Sequence, residues 1–292
     1  VNTPFSGGTG ADLDEALRWA TARLAAAGVP SPRADAELLA AHVLEVSRGR
    51  VGALALLGTE VPDHFEELVL QRADRIPLQH LTGRAYFRNL ELHVGPGVFV
   101  PRPETETLAQ LAIDAARQAL EHSGRAIVVD LGTGSGAVAA SVAAEVPEAR
   151  VYAVEVSELA AAWAERNLSP WGVELRVGDL RTAYADLEAE FDVVVSNPPY
   201  IPPDAVPQEP EVRTHDPQLA LYGGGADGMD LPRAVEQSAG RLLRPGGVVA
   251  MEHAEVQERL ALGLFADRRR WVRAQSHLDL TGRPRCTSAV KV

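Results

Sequence analysis

Residues 126–145 read AIVVDLGTGSGAVAASVAAE. A short apolar run ends at an acid, three glycines follow within five residues, and an alanine-rich stretch comes next. That order is a buried strand, a glycine turn and a helix. Downstream the same alternation continues. RVYAVEV is followed by a helical pattern over 158–168, then come VELRVGD and FDVVVS as strands. A helix over about 230–243, the strand GGVVAME and a helix over about 255–265 come next, and RRWVRAQ and CTSAVKV close the chain as strands. Apolar strands alternating with helices predict an α/β doubly wound fold, a mainly parallel sheet covered on both faces. Ligands in such sheets bind at the carboxyl ends of the strands.

Upstream the pattern is different. Residues 11 to about 75 carry helical periodicity and no strand alternation. ADLDEALRWATARLAAAG ends at Gly28, and SPRADAELLAAHVLEVSRG opens with Ser31 as the expected cap and Pro32 in the first turn and closes at Gly49. VPDHFEELVLQRADR repeats the device with Pro62. TGRAYFRNLELHVGPGVFV, broken by Asn89 and by Gly95-Pro96-Gly97, reads as a hairpin. A further helix begins near Glu104. The expected organisation is a helical domain over 1–80, a hairpin connector over 81–101 and the α/β domain over 102–292. Residues 1–10, VNTPFSGGTG, read as a disordered lead-in without signal-peptide character.

The whole chain has 292 residues, 46% hydrophobic and 23% charged, and a net charge of −12. A protein held to nucleic acid through phosphates is usually basic, so this balance argues against direct nucleic-acid binding. The single cysteine, Cys286, makes no intrachain disulfide and no zinc cluster, which fits a cytoplasmic protein. Its place in a terminal strand suits a small buried hydrophobe. No apolar run approaches a membrane span, and no metal-ligand spacing is evident.

The candidate site residues sit at successive strand ends. Gly132, Thr133, Gly134, Ser135 and Gly136 form a loop on which a ligand can lie against backbone. Glu155 closes the second strand, where a carboxylate can accept from both hydroxyls of a ribose. These two features suit a dinucleotide or S-adenosylmethionine equally. Asp179 and Leu180 follow the third strand, where they would meet the edge and face of an adenine. The fourth strand runs into Asn197-Pro198-Pro199-Tyr200. Asn197 offers a side-chain acceptor, and Pro198 a backbone carbonyl on a turn stiffened by two fixed φ angles. Tyr200 supplies a flat wall, so the tetrapeptide reads as a cradle for a planar NH2 group.

An amide or aryl amine nitrogen is a poor nucleophile. Two acceptors on its N–H bonds orient the lone pair and favour the charge that develops on attack. The sulfonium methyl of S-adenosylmethionine is a fitting electrophile, and in-line alignment supplies much of the rate. Asn197, Pro198 and Tyr200 are thus the catalytic candidates, with Pro199 added for substrate binding and Asn197 also bordering the cofactor. An adenine amino group on DNA or RNA is an alternative acceptor of the same shape.

The stretches PLQHLTGRAYF, VPRPETE, DLGTGSGAVA, SNPPYIP, DPQLALYGGGADGMD, LLRPGG and DLTGRPR, from about Pro77 to Arg285, resemble the HemK/PrmC family of peptide-chain release factor glutamine methyltransferases. The resemblance implies a helical substrate-recognition domain joined by a hairpin to a Rossmann-like methyltransferase domain. It implies methyl transfer from S-adenosyl-L-methionine, leaving S-adenosyl-L-homocysteine, to the glutamine amide of a Gly-Gly-Gln motif in class I release factors. A glutamine on a ribosomal protein is the near alternative. Three positions depart from the family pattern: Glu155 is often Asp, Leu180 is a tryptophan in some members, and Ala254 is commonly glycine. Around PRPETE, Arg102 is expected to meet a carboxylate and Thr105 or Glu104 to cap a helix. The long segment 207–228 is expected to fold over the substrate loop.

Overall fold

A computed structural model describes residues 11–292; the lead-in expected over 1–10 lies outside the described residues. The chain divides into two compact units, 1–83 with 208–215 and 84–207 with 216–292.

The first unit is helical. Asp12 caps α1 (Leu13–Ala26), its carboxylate accepting from the N–H groups of Asp14 and Glu15. Then come α2 (Pro32–Val43), α3 (Arg48–Leu56), α4 (His64–Ala73) and α5 (Leu78–Thr82). Two short strands, β1 (Ala11–Asp12) and β2 (Glu60–Val61), pair antiparallel. Leu13, Leu17, Leu24, Leu39, Val51, Phe65 and Val69 make the shared core. Two expectations fail here. The second helix ends at Val43, because Glu45 takes a positive φ of 53° and turns the chain, so Gly49 lies in the first turn of α3 and closes nothing. Ser31 precedes Pro32 as expected, but its hydroxyl makes no capping bond.

The second unit opens with the hairpin β3 (Arg84–Phe87) and β4 (Leu90–His93). This hairpin was expected as a connector, yet Phe87 and Leu92 are buried in the main core of the unit. Arg88, at its tip, pairs with Glu145 at 2.6 Å and donates to Gln110 at 2.8 Å. A single turn at Pro103–Thr105 leads into α6 (Glu106–Ser123). The alternation follows as β5 (Ile127–Leu131), α7 (Ala137–Glu145), β6 (Arg150–Glu155), α8 (Glu158–Leu168), β7 (Glu174–Val177) and β8 (Phe191–Ser196). After it come α9 (Pro210–His215), which belongs to the helical unit, α10 (Asp230–Leu242), β9 (Leu243–Glu252), α11 (Glu258–Leu264), β10 (Trp271–Leu278) and β11 (Pro284–Lys291).

The sheet order is β10-β11-β9-β8-β5-β6-β7, with β5 to β9 parallel and the last two strands antiparallel. The expected doubly wound α/β class is what the chain adopts. Apolar side chains cover both faces of the sheet in two clusters, as the unbroken apolar runs require. The chain winds outward from β5 to β7 and then returns to lay β8 on the other side of β5. The strand ends of β5 and β8 therefore flank the point where the winding reverses.

Candidate active site

The glycine loop leaves β5 at that point. Gly132, Gly134 and Gly136 all have positive φ, and a side chain on Gly132 or Gly134 would meet nothing within 4 Å. The loop thus has an open side, where a ligand can approach backbone. Gly136 is different: a side chain there would strike Leu168, so it serves packing. The Gly132 and Thr133 N–H groups both donate to Val154 O at 2.9 Å, which fixes the loop to β6.

Glu155 is brought to the same place. Its Oε2 accepts from Gly134 N–H at 2.8 Å and its Oε1 from Ser157 N–H at 2.9 Å. The carboxylate is 7% exposed and holds the loop shut behind the open face. Each oxygen keeps a lone pair for a further donor. Gly178 N–H donates to Glu155 O, which sets Asp179 beside it. Asp179 accepts from Arg181, through its N–H and its guanidinium, each at 2.8 Å. Leu180 is buried in the core beside the sheet.

Asp130, at the end of β5, carried no expectation. It is buried and accepts from the Thr133 hydroxyl at 2.7 Å. Burial pushes its carboxyl up to about 7, against the Thr133 hydroxyl and the Ala139 N–H, which favour the charged form.

The Asn197–Tyr200 turn leaves β8 next door. Ser196 is fully buried, and its hydroxyl donates to Leu131 O, tying the ends of β8 and β5 together. Asn197 Nδ2 donates to Thr105 Oγ1 at 3.3 Å. Thr105 was expected as a helix cap; it makes no capping bond, because its hydroxyl is turned to Asn197. Tyr200 donates its hydroxyl to Glu252 Oε1 at 3.3 Å. Burial raises the phenol above its ordinary range, and the nearby Glu252 carboxyl adds to this. Gln257 Nε2 donates to Tyr200 O at 2.7 Å and to Asp227 O at 3.0 Å, clamping the turn from below.

The second half of the long segment packs on this turn. Ile201 N–H donates to Leu221 O, and Gly223 N–H donates to Ile201 O. A side chain on Gly223 would lie 1.9 Å from Gly228 O, and one on Gly228 2.3 Å from Tyr200 O. The glycines of YGGGADG are there because backbone meets backbone. Arg102, expected to meet a carboxylate, meets Asp216 at 2.9 Å, so PRPETE and DPQLAL are joined. Ala254 has φ −67°, a backbone conformation open to any residue.

Among the described residues no three His, Cys, Asp or Glu side chains are grouped to hold a metal ion, and no helix is long and apolar enough to cross a membrane.

Known proteins match this arrangement over nearly its full length. The PrmC N-terminal domain family matches residues 15–83 and the Methyltransferase small domain family residues 90–209. A release factor glutamine methyltransferase of Streptomyces coelicolor is 52% identical over 273 residues, covering 93% of this chain and 95% of that protein. The chain belongs to the release factor glutamine methyltransferase family. The enzyme of that name from Mycolicibacterium smegmatis is 45% identical, over 96% of this chain and 98% of its own. A 4-amino-L-phenylalanine/4-methylamino-L-phenylalanine methyltransferase of Streptomyces pristinaespiralis is 41% identical, over 94% of this chain and 92% of its own. The protein is thus a methyltransferase built on the HemK/PrmC plan that its motifs resemble.

Proposed function

We propose that this methyltransferase transfers a methyl group from S-adenosylmethionine to the side-chain amide nitrogen of the glutamine in the Gly-Gly-Gln motif of a class I release factor. The observation that carries the reading is the juxtaposition of the glycine loop and the Asn197–Tyr200 turn where the sheet's winding reverses, in a chain 52% identical to a protein of that name.

The residues present fit the cofactor. Gly132 and Gly134 leave backbone open, Glu155 is held beside them with lone pairs to spare, and Asp179 follows on the next strand. Bound there, S-adenosylmethionine supplies an electrophilic methyl group. Asn197 Oδ1 and the Pro198 carbonyl accept the two N–H bonds of the substrate amide and hold its plane. Tyr200 walls the site on one side. The fixed acceptors favour the charge that develops on nitrogen, without reorganising during the reaction. The proton lost from nitrogen needs no base before the methyl bond forms.

Incubation with labelled S-adenosylmethionine and an unmodified class I release factor tests this. The Gly-Gly-Gln peptide should gain the mass of one methyl group, and Asn197→Ala should abolish the gain. A second reading has a specific support: the relative from S. pristinaespiralis is named for an aryl amine substrate. The cradle accepts either planar NH2 group, so free 4-aminophenylalanine belongs in the same assay. Methylation of the aryl amine and not of the peptide would reverse the assignment.

A further inference from the structure

The motifs left without a role converge on one carboxyl. β8 and β9 pair with Ser196 opposite Met251, so Asn197 and Glu252 leave adjacent strands side by side. Glu252 is 3% exposed. Tyr200 donates to its Oε1, while its Oε2 is buried without a hydrogen-bond partner. Thr105, from PRPETE, lies close enough to this carboxyl for its hydroxyl to favour the ionised form, and its oxygen accepts from Asn197 Nδ2. Arg285, from DLTGRPR, lies against both Glu252 and Tyr200 and is itself held by Asp279.

We propose that Glu252 is a positioning residue that sets, through Thr105, which side of the Asn197 amide meets the substrate. The proposal rests on the reading above, in which Asn197 Oδ1 accepts from the substrate nitrogen. A hydroxyl carries one proton. An ionised Glu252 can only accept, so it draws the Thr105 proton. Thr105 then has only lone pairs to offer Asn197, and Asn197 must turn its NH2 that way. Its Oδ1 is left on the opposite side as an acceptor. A protonated Glu252 can donate, which frees the Thr105 proton and lets the Asn197 amide turn round. An NH2 facing a substrate NH2 holds nothing.

The groups around Glu252 decide its charge. Arg285, the Thr105 hydroxyl and the Tyr200 hydroxyl favour the ionised form, and Glu104 opposes it. Cys286 sits opposite Glu252 in the β9–β11 pairing as a buried thiol, pushed up by its burial. The His253 ring is engaged by Thr287 and the Ala254 carbonyl. Burial is the largest influence and pushes the Glu252 carboxyl up to about 7. The orientation of Asn197 therefore changes over the neutral range.

The test is a pH profile of kcat for the full-length protein, E252Q, T105V and T105S, with cofactor affinity measured by calorimetry. A second readout is the side-chain amide NMR signal of Asn197, identified by its loss in N197D. In the wild type, kcat should rise with pH through about 7. E252Q and T105V should lower kcat on the order of 10–100-fold and flatten that limb, as expected when one positioned hydrogen-bonding group is lost. Cofactor affinity should stay within about threefold. T105S keeps the hydroxyl and should restore the limb. The Asn197 signal should shift with pH in the wild type and not in E252Q. Wild-type kcat and slope in E252Q, or an Asn197 signal blind to pH, would overturn the proposal. If E252Q does not fold, T105V and the wild-type titration decide alone. A wild type that binds cofactor but leaves the glutamine unmethylated refutes the substrate reading only, because the amide signal still reports on Glu252.

Discussion

In the function proposed, Asn197 borders the cofactor and holds the substrate amide, so its removal tests binding apart from chemistry. Asn197→Ala should lower kcat on the order of 100-fold or more, while cofactor affinity by calorimetry changes far less. Glu155→Ala should do the opposite. It strips two backbone N–H groups of their acceptor and loosens the glycine loop, at a cost of about 1.5–3 kcal/mol for bonds to a charged group. Cofactor affinity should fall by on the order of 10–100-fold; affinity equal to wild type would show that Glu155 holds only the loop. The places of the glycine loop, Glu155 and Asn197–Tyr200 at the ends of β5, β6 and β8 were legible in the sequence, because each is a local pattern. Glu252 and the contact of Thr105 with Asn197 were not, because their partners lie on other elements, and Asp130 was passed over although its partner Thr133 lies in the same loop motif. One signal was there to be used. Asp130, Glu155 and Glu252 each follow an apolar run at or next to a strand's end, an expensive place for an acid, and only Glu155 was singled out.

Among the elements, α9 is the one whose placement the sequence hid. The segment 207–228 reads as one long loop, but its first half is a helix in the first unit and its second half packs on the Asn197 turn. The reason is a pairing that no local pattern contains. Glu211 meets Arg72 at 2.8 Å and Arg75 at 2.6 Å, and Arg72 also meets Asp35 at 2.8 Å. Burial alone would raise the Glu211 carboxyl, but the two guanidinium groups hold it at about 2. A lowered carboxyl contributes stability above its unfolded value of about 4.5, and that contribution is lost as pH falls toward 2. Glu211→Ala should release α9 at neutral pH. Hydrogen exchange should quicken over 208–215, with the amides of β5 and β8 unaffected; an unchanged rate at α9 would refute the role of this pair. By contrast the helices and strands of the alternation were legible, since periodicity and burial coincide there. The end of α2 was not, because Glu45 adopts a conformation more common for glycine.

On the scale of the molecule, two buried carboxyls make stability depend on pH. Asp130 and Glu252 are both raised to about 7. Such groups contribute stability below their unfolded values, and it is lost as pH rises through the folded ones. Without cofactor, these two groups should therefore lower the melting temperature between about pH 4 and pH 7. D130N and E252Q together should flatten that slope in a thermal-shift series, and an undiminished slope would assign it elsewhere. The division of the chain has a different kind of consequence. The helical unit receives its final element, residues 208–215, only after β8 has been made. On a ribosome adding about 5–20 residues per second, the five leading helices emerge first and wait several seconds for it. A gene fusion cut at residue 83 would likewise inherit a unit with its last helix missing. Recombination can exchange this module between relatives only by taking both pieces at once.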